Sequence, residues 1–122
     1  KKNNKKKVVI WGSGKPQREF LFVDDLALSI LKILRTPKNN LKKLFKDNIP
    51  ILNVGSGESI SIKNLAILIK KLTNYEGKII FDKTIPDGTI NKDLDSSKIS
   101  KLNWKTTIKL KTGLLKVIKS RM

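Results

Sequence analysis

Arg18 is one of three arginines, with Arg35 and Arg121, among 27 basic residues in a chain of 122. Its planar guanidinium offers the forked donor pair that a diphosphate takes up best, which a lysine ammonium does not. The plain alternative is a surface ion pair with Glu19 or Asp24. Trp11 stands directly before Gly12-Ser13-Gly14. A flat indole beside backbone that ligands can approach closely suits the face of a sugar or a purine, although a strand-end aromatic also serves as core. Asp87 lies in Pro86-Asp87-Gly88-Thr89, where each residue favours a turn for its own reason. Its carboxylate can also accept hydrogen bonds from sugar or ribose hydroxyls. Lys92, a few residues on, is a second diphosphate candidate. Asn53 is read as a tie between backbone segments and Trp104 as core.

The chemistry open to these residues is bounded by what the chain lacks. It has no cysteine and no histidine, so a disulfide framework, a thiolate nucleophile and a cysteine-based zinc site are excluded. No catalytic, cofactor-binding or metal-binding residue is predicted. The formal net charge of +17 raises nucleic acid or an anionic membrane surface as partners. Against nucleic acid, the excess is lysine, and no arginine and aromatic residues interleave on one face. A joint bias toward Lys, Ile and Asn is what an AT-rich genome produces without selection for binding. No apolar run approaches the roughly 18 residues that span a bilayer, and no signal peptide opens the chain. A cytoplasmic location is expected. The opening Lys1-Lys2-Asn3-Asn4-Lys5-Lys6-Lys7 is read as a solvated helix end or linker, so the chain is expected to begin mid-protein.

The elements that must position these residues follow from periodicity and turn chemistry. Val8–Trp11 and Glu19–Val23 read as two strands joined by the Gly12–Pro16 loop. Asp24 or Asp25 is expected to cap a helix carrying Leu26, Ala27, Ile30, Leu31, Ile33 and Leu34, which stops before Pro37. Residues 38–49 read as a surface loop with at most a turn of helix. Pro50–Gly55 reads as a strand buried on both faces, of the parallel-sheet kind. Ser61 is placed to cap a second amphipathic helix, with Ile62, Leu65, Ala66, Ile69 and Leu72 on one face. Lys78–Phe81 is a further strand, Asp95–Leu102 a short capped helix and Leu110–Ser120 a terminal helix. The alternation points to α/β architecture, with too few parallel strands to cover Pro50–Gly55.

The run Val8-Val9-Ile10-Trp11-Gly12-Ser13-Gly14-Lys15-Pro16-Gln17-Arg18-Glu19-Phe20-Leu21, followed by Val23-Asp24-Asp25-Leu26-Ala27, resembles the extended short-chain dehydrogenase/reductases. These form the NAD-dependent epimerase/dehydratase family, and the Trp-Gly-Ser-Gly form is similar to that of its GDP-L-fucose synthases. Leu52-Asn53-Val54-Gly55, Pro86-Asp87-Gly88-Thr89, Lys92, Leu94-Asp95-Ser96-Ser97-Lys98-Ile99 and Leu102-Asn103-Trp104 follow in family order. The sequence departs from the pattern at Asn91, Phe22 and Asn103.

The resemblance implies the C-terminal, substrate-binding portion of an incomplete Rossmann-type fold, over residues 1–122, with the nucleotide-binding domain absent. It implies substrate contact for Trp11, Arg18, Asp87 and Lys92, with a GDP-sugar as partner. Such enzymes convert GDP-4-keto-6-deoxy-mannose to GDP-L-fucose by epimerising two carbons and reducing the ketone with NADPH. The glycines here do not make Gly-x-Gly-x-x-Gly, and Tyr75 has its lysine, Lys78, three residues on rather than four. No NADP site and no activity are therefore expected of this chain alone. It is expected to pair with a missing Rossmann domain or to self-associate. Two further readings are a lysine-rich nucleic-acid or anion-binding module, and the functionless remnant of a truncated gene.

Overall fold

The computed structural model describes residues 6–45 and 49–121. The opening basic run up to Lys5, and residues 46–48 of the expected surface loop, lie outside them. The chain divides into two compact units. One is built from the residues up to Arg18, Ser59–Asp93 and the residues from Lys111 on, and the other from Glu19–Glu58 and Leu94–Leu110.

The first unit is organised by a parallel strand pair, β1 (Lys7–Trp11) with β4 (Lys78–Asp82), in a register running from Lys7↔Lys78 to Trp11↔Asp82. Val8, Val9, Ile10 and Ile79, Ile80, Phe81 are β-branched or aromatic residues that suit a pleated surface. Side chains alternate across that surface. Val8, Ile10 and Ile79 line an apolar groove of about 1000 Å³ together with Leu65, Ala66 and Ile69 of helix α3 (Ile62–Leu72). On the other face Val9, Ile80 and Trp11 are exposed.

The expected cap of α3 is present, with Ser61 Oγ accepting from the Asn64 N–H at 3.1 Å. The helix ends where Asn74 takes a left-handed conformation (φ 48°), the usual stop for a terminal turn. Just before it, β3 (Ser59–Ser61) pairs with β2 (Gln17–Glu19), whose first two residues belong to this unit. The terminal helix α5 (Leu110–Ser120) matches the range read from the sequence.

The second unit holds α1 (Val23–Leu34), α2 (Lys38–Lys42) and α4 (Ser97–Ser100). The expected strand Glu19–Val23 is corrected. β2 ends at Glu19, and α1 already begins at Val23. The expected cap is corrected as well, because Phe22 occupies the cap position without a side-chain hydrogen bond. Asp25 lies inside the first turn and turns its carboxylate to the segment 106–108. It accepts from Thr106 Oγ1 (2.7 Å), Thr107 Oγ1 (2.7 Å), the Thr107 N–H (3.0 Å) and the Ile108 N–H (2.8 Å). A buried carboxylate needs such partners, and Asp25 is 1% exposed.

Pro50–Gly55 is not a strand. The segment is held by other bonds instead. The Ile51 N–H donates to the Ile49 carbonyl (2.9 Å), the Ile51 carbonyl accepts from Lys98 Nζ (3.4 Å), and Asn53 Nδ2 donates to the Asp95 carbonyl (3.3 Å). Both-face burial therefore fails, with Ile51 exposed. Asn53 does tie backbone together. The expected capped helix shrinks to α4, where Asp95 Oδ1 accepts from the Ser97 N–H at 2.9 Å. Trp104 is half-buried.

Among the described residues Ile99 is the only hydrophobic side chain that is fully buried. α1 exposes Val23, Leu26, Leu28, Ile30, Leu31 and Leu34 and buries Asp25 and Ser29. Among the described residues no helix is long and apolar enough to cross a membrane.

Candidate functional site

The site lies in the first unit, at the edge where β1 and β4 both end. Because the strands are parallel and Trp11 pairs with Asp82, the loops that follow them leave the sheet side by side. Ligands in parallel α/β sheets bind outside the carboxyl ends of the strands. The ladder is continued one step by the Gly12 N–H, which donates to the Asp82 carbonyl at 2.8 Å. Asp82 then starts the second loop by accepting from the N–H (3.0 Å) and hydroxyl (2.5 Å) of Thr84, and these bonds hold its carboxyl below the usual range.

Gly12 and Gly14 both have positive φ, 84° and 76°, a region costly for other residues. Space requires glycine there too. A β-carbon on Gly12 would overlap Asp87 Oδ1, and one on Gly14 would sit 2.5 Å from the Phe81 ring. The loop also rests on α3, whose first N–H groups have no partner within the helix. The Ile62 N–H donates to the Pro16 carbonyl (3.0 Å) and the Lys63 N–H to the Gly14 carbonyl (2.9 Å).

Asp87 bridges the two loops. It accepts from the Ser13 N–H at 2.7 Å (Oδ1) and the Ser13 hydroxyl at 2.5 Å (Oδ2). The Ser13 hydroxyl, then its N–H, lower the Asp87 carboxyl from its ordinary value; desolvation opposes them, and the charge of Lys15 adds the least, in the lowering direction. The side chain is exposed at the loop surface and ionised.

Arg18 is bonded to backbone carbonyls of its own segment and of a neighbouring loop. Its Nη1 donates to the Gln17 carbonyl (2.5 Å) and to the Thr89 carbonyl (2.9 Å), so the guanidinium is tied to the loop that carries Asp87. A guanidinium has more donors than these two bonds use. Trp11, 75% exposed, precedes the loop that Asp87 holds. The structure thus brings Trp11, Arg18 and Asp87 to one edge. Lys92 is exposed two residues beyond Ile90, whose carbonyl accepts from the Gln17 N–H at 2.7 Å. The apolar groove against α3 is a separate feature, lined by none of these four residues.

One participant was not legible as such. Ser13 appears in the sequence only as part of a turn, and its partner is 74 positions away. Glu19 accepts from the Gly57 N–H (2.5 Å), the Leu94 N–H (3.1 Å) and Ser56 Oγ (3.4 Å).

Residues 1–55 match the model of the NAD dependent epimerase/dehydratase family. A probable GDP-L-fucose synthase of Oryza sativa subsp. japonica is 40% identical over 119 residues, 98% of this chain and 34% of that protein. The chain is similar to members of the NAD-dependent epimerase/dehydratase family. It spans about a third of the length of the relatives it matches. A GDP-6-OMe-4-keto-L-xylo-heptose reductase from C. jejuni superposes with a TM-score of 0.80 at 35% identity, over 96% of this chain and 35% of that one. A GDP-mannoheptose C4 reductase from Campylobacter jejuni, solved with NADP bound, gives 0.76 at 35% identity over 93% and 34%. The α/β fold is therefore that of a third of a Rossmann-type epimerase/reductase.

The family's dinucleotide finds no fit in the glycine turn Gly55-Ser56-Gly57. Its Gly57 N–H already binds the Glu19 carboxylate, and a β-carbon on Gly55 would overlap that same group. An anion is present in the turn, supplied by the protein itself.

Proposed function

We propose that this chain supplies the GDP-sugar-contacting part of a GDP-L-fucose synthase-like epimerase/reductase. The observation that carries the reading is the pairing of Trp11 with Asp82 at the carboxyl edge of β1 and β4, from which the loops joined by Ser13 and Asp87 project. Arg18, held by Thr89, is the diphosphate ligand, since its fork matches two phosphate oxygens at once. Trp11 offers a face for a flat or ringed group. Asp87 accepts from ligand hydroxyls, and Lys92 adds positive charge.

In this reading the hydride carrier and the proton-transfer groups are held outside these 122 residues. The chain alone, given GDP-4-keto-6-deoxy-mannose and NADPH, turns over no faster than the uncatalysed control. The similarity to proteins named as GDP-L-fucose synthases and GDP-sugar reductases supports the choice of ligand. A titration with GDP-mannose followed by NMR is the test. Shifts should centre on residues 11–18 and 87–92, and shifts centred elsewhere would refute the assignment.

A further inference from the structure

We infer that Ser13 is a positioning residue for ligand recognition, acting by aiming the Asp87 carboxylate at a vicinal pair of ligand hydroxyls; this rests on the GDP-sugar reading above. Ser13 donates twice to one carboxylate, from its N–H to Oδ1 and from its hydroxyl to Oδ2, and this fixes both the distance and the rotation of the group. Its hydroxyl is in turn oriented by accepting from the Lys15 N–H at 3.1 Å. The hydroxyl hydrogen is thereby left for Asp87.

A carboxylate has about four acceptor positions, and Ser13 takes two. Those that remain belong to an exposed side chain, one on each oxygen, which is the arrangement two adjacent hydroxyls meet. The close fit of Gly12 against Oδ1 limits swinging on the other side. Without the Ser13 hydroxyl only the N–H bond to Oδ1 remains, and each ligand hydroxyl then has to be ordered against a more mobile acceptor, at an entropic cost.

Such a hydroxyl pair is present on the ribose of a nucleoside diphosphate and on a hexose, and binding measurements separate the two. Calorimetry on the full chain would compare wild type, Ser13→Ala, Ser13→Thr and Arg18→Ala with GDP-mannose, GDP and 2′,3′-dideoxy-GDP. Ser13→Ala should weaken GDP-mannose roughly tenfold, Ser13→Thr should restore most of the loss, and dideoxy-GDP should bind both alike. A Ser13→Ala loss shared by GDP places the pair on the ribose, and one confined to GDP-mannose places it on the sugar. Ser13→Ala equal to wild type while Arg18→Ala weakens binding would overturn the inference and leave the GDP-sugar reading standing. Wild type binding none of the three would end both. Should Ser13→Ala not fold, the Ser13 amide proton in Asp87→Asn is measured by NMR: loss of its downfield shift supports the bridge, and an unmoved shift contradicts it.

Discussion

The Glu19 carboxylate is seated in the turn at Gly57, whose N–H it accepts at 2.5 Å, directly after Arg18 in the chain. An acidic side chain thus occupies the Gly55-Ser56-Gly57 turn. Strand β2 ends there, because Glu19 is committed to the loops at 56–57 and 94.

Glu19→Gln should cost about 1–3 kcal/mol, the usual value for losing charge-assisted bonds to backbone donors. Urea unfolding of the two proteins would show a lower midpoint with an unchanged slope. Gly55→Ala should have a comparable effect, since its methyl group needs the space Glu19 fills.

Asp25 makes the second unit acid-labile. Burial raises its pKa, but hydrogen bonds from the Thr107 and Thr106 hydroxyls and the Ile108 and Thr107 N–H groups outweigh burial and hold it at about 2, below the ordinary 3.8. A lowered folded-state value stabilises above the unfolded one and loses that contribution as the pH falls through the folded one. About 2 kcal/mol should therefore be present above pH 3.8 and vanish toward about 2. Asp25→Asn should be less stable at pH 7 and show a flatter dependence across that window, read by denaturant unfolding at a series of pH values.

Apolar residues exposed along α1, with Leu34 at 76% and Val23 at 66%, should bind a hydrophobic dye and promote self-association. The charge of +17 opposes association at low salt. Added salt screens that repulsion beyond about 10 Å at 0.1 M and leaves hydrophobic contact intact. Light scattering should rise along a salt series. A chain monomeric throughout, with no dye bound, contradicts this.

Local chemistry made much of this fold legible. Ser61 and the 3.6-residue spacing after it gave α3, and the range of α5 needed nothing beyond its own periodicity. Pro50–Gly55 misled because an apolar run says that burial is wanted, whereas a strand also needs a partner ladder. Asp25 looked like a cap because a cap is the commonest use of Asp at a helix start, and its true partners lie more than 80 positions away. Ser13 and Asp87 were hidden for the same reason, since each alone is a turn residue. Trp11 and Arg18 stood out by rarity of type, yet the link between Arg18 and Thr89 became visible only once β1 and β4 were paired.

A GDP-sugar held at the end of the β1–β4 pair should be held through Arg18. Calorimetric titration of the chain and of Arg18→Ala with GDP-mannose tests it most directly. Loss of a charge-assisted diphosphate contact predicts affinity at least tenfold weaker in Arg18→Ala, with circular dichroism unchanged. Equal affinity in the two proteins would contradict it.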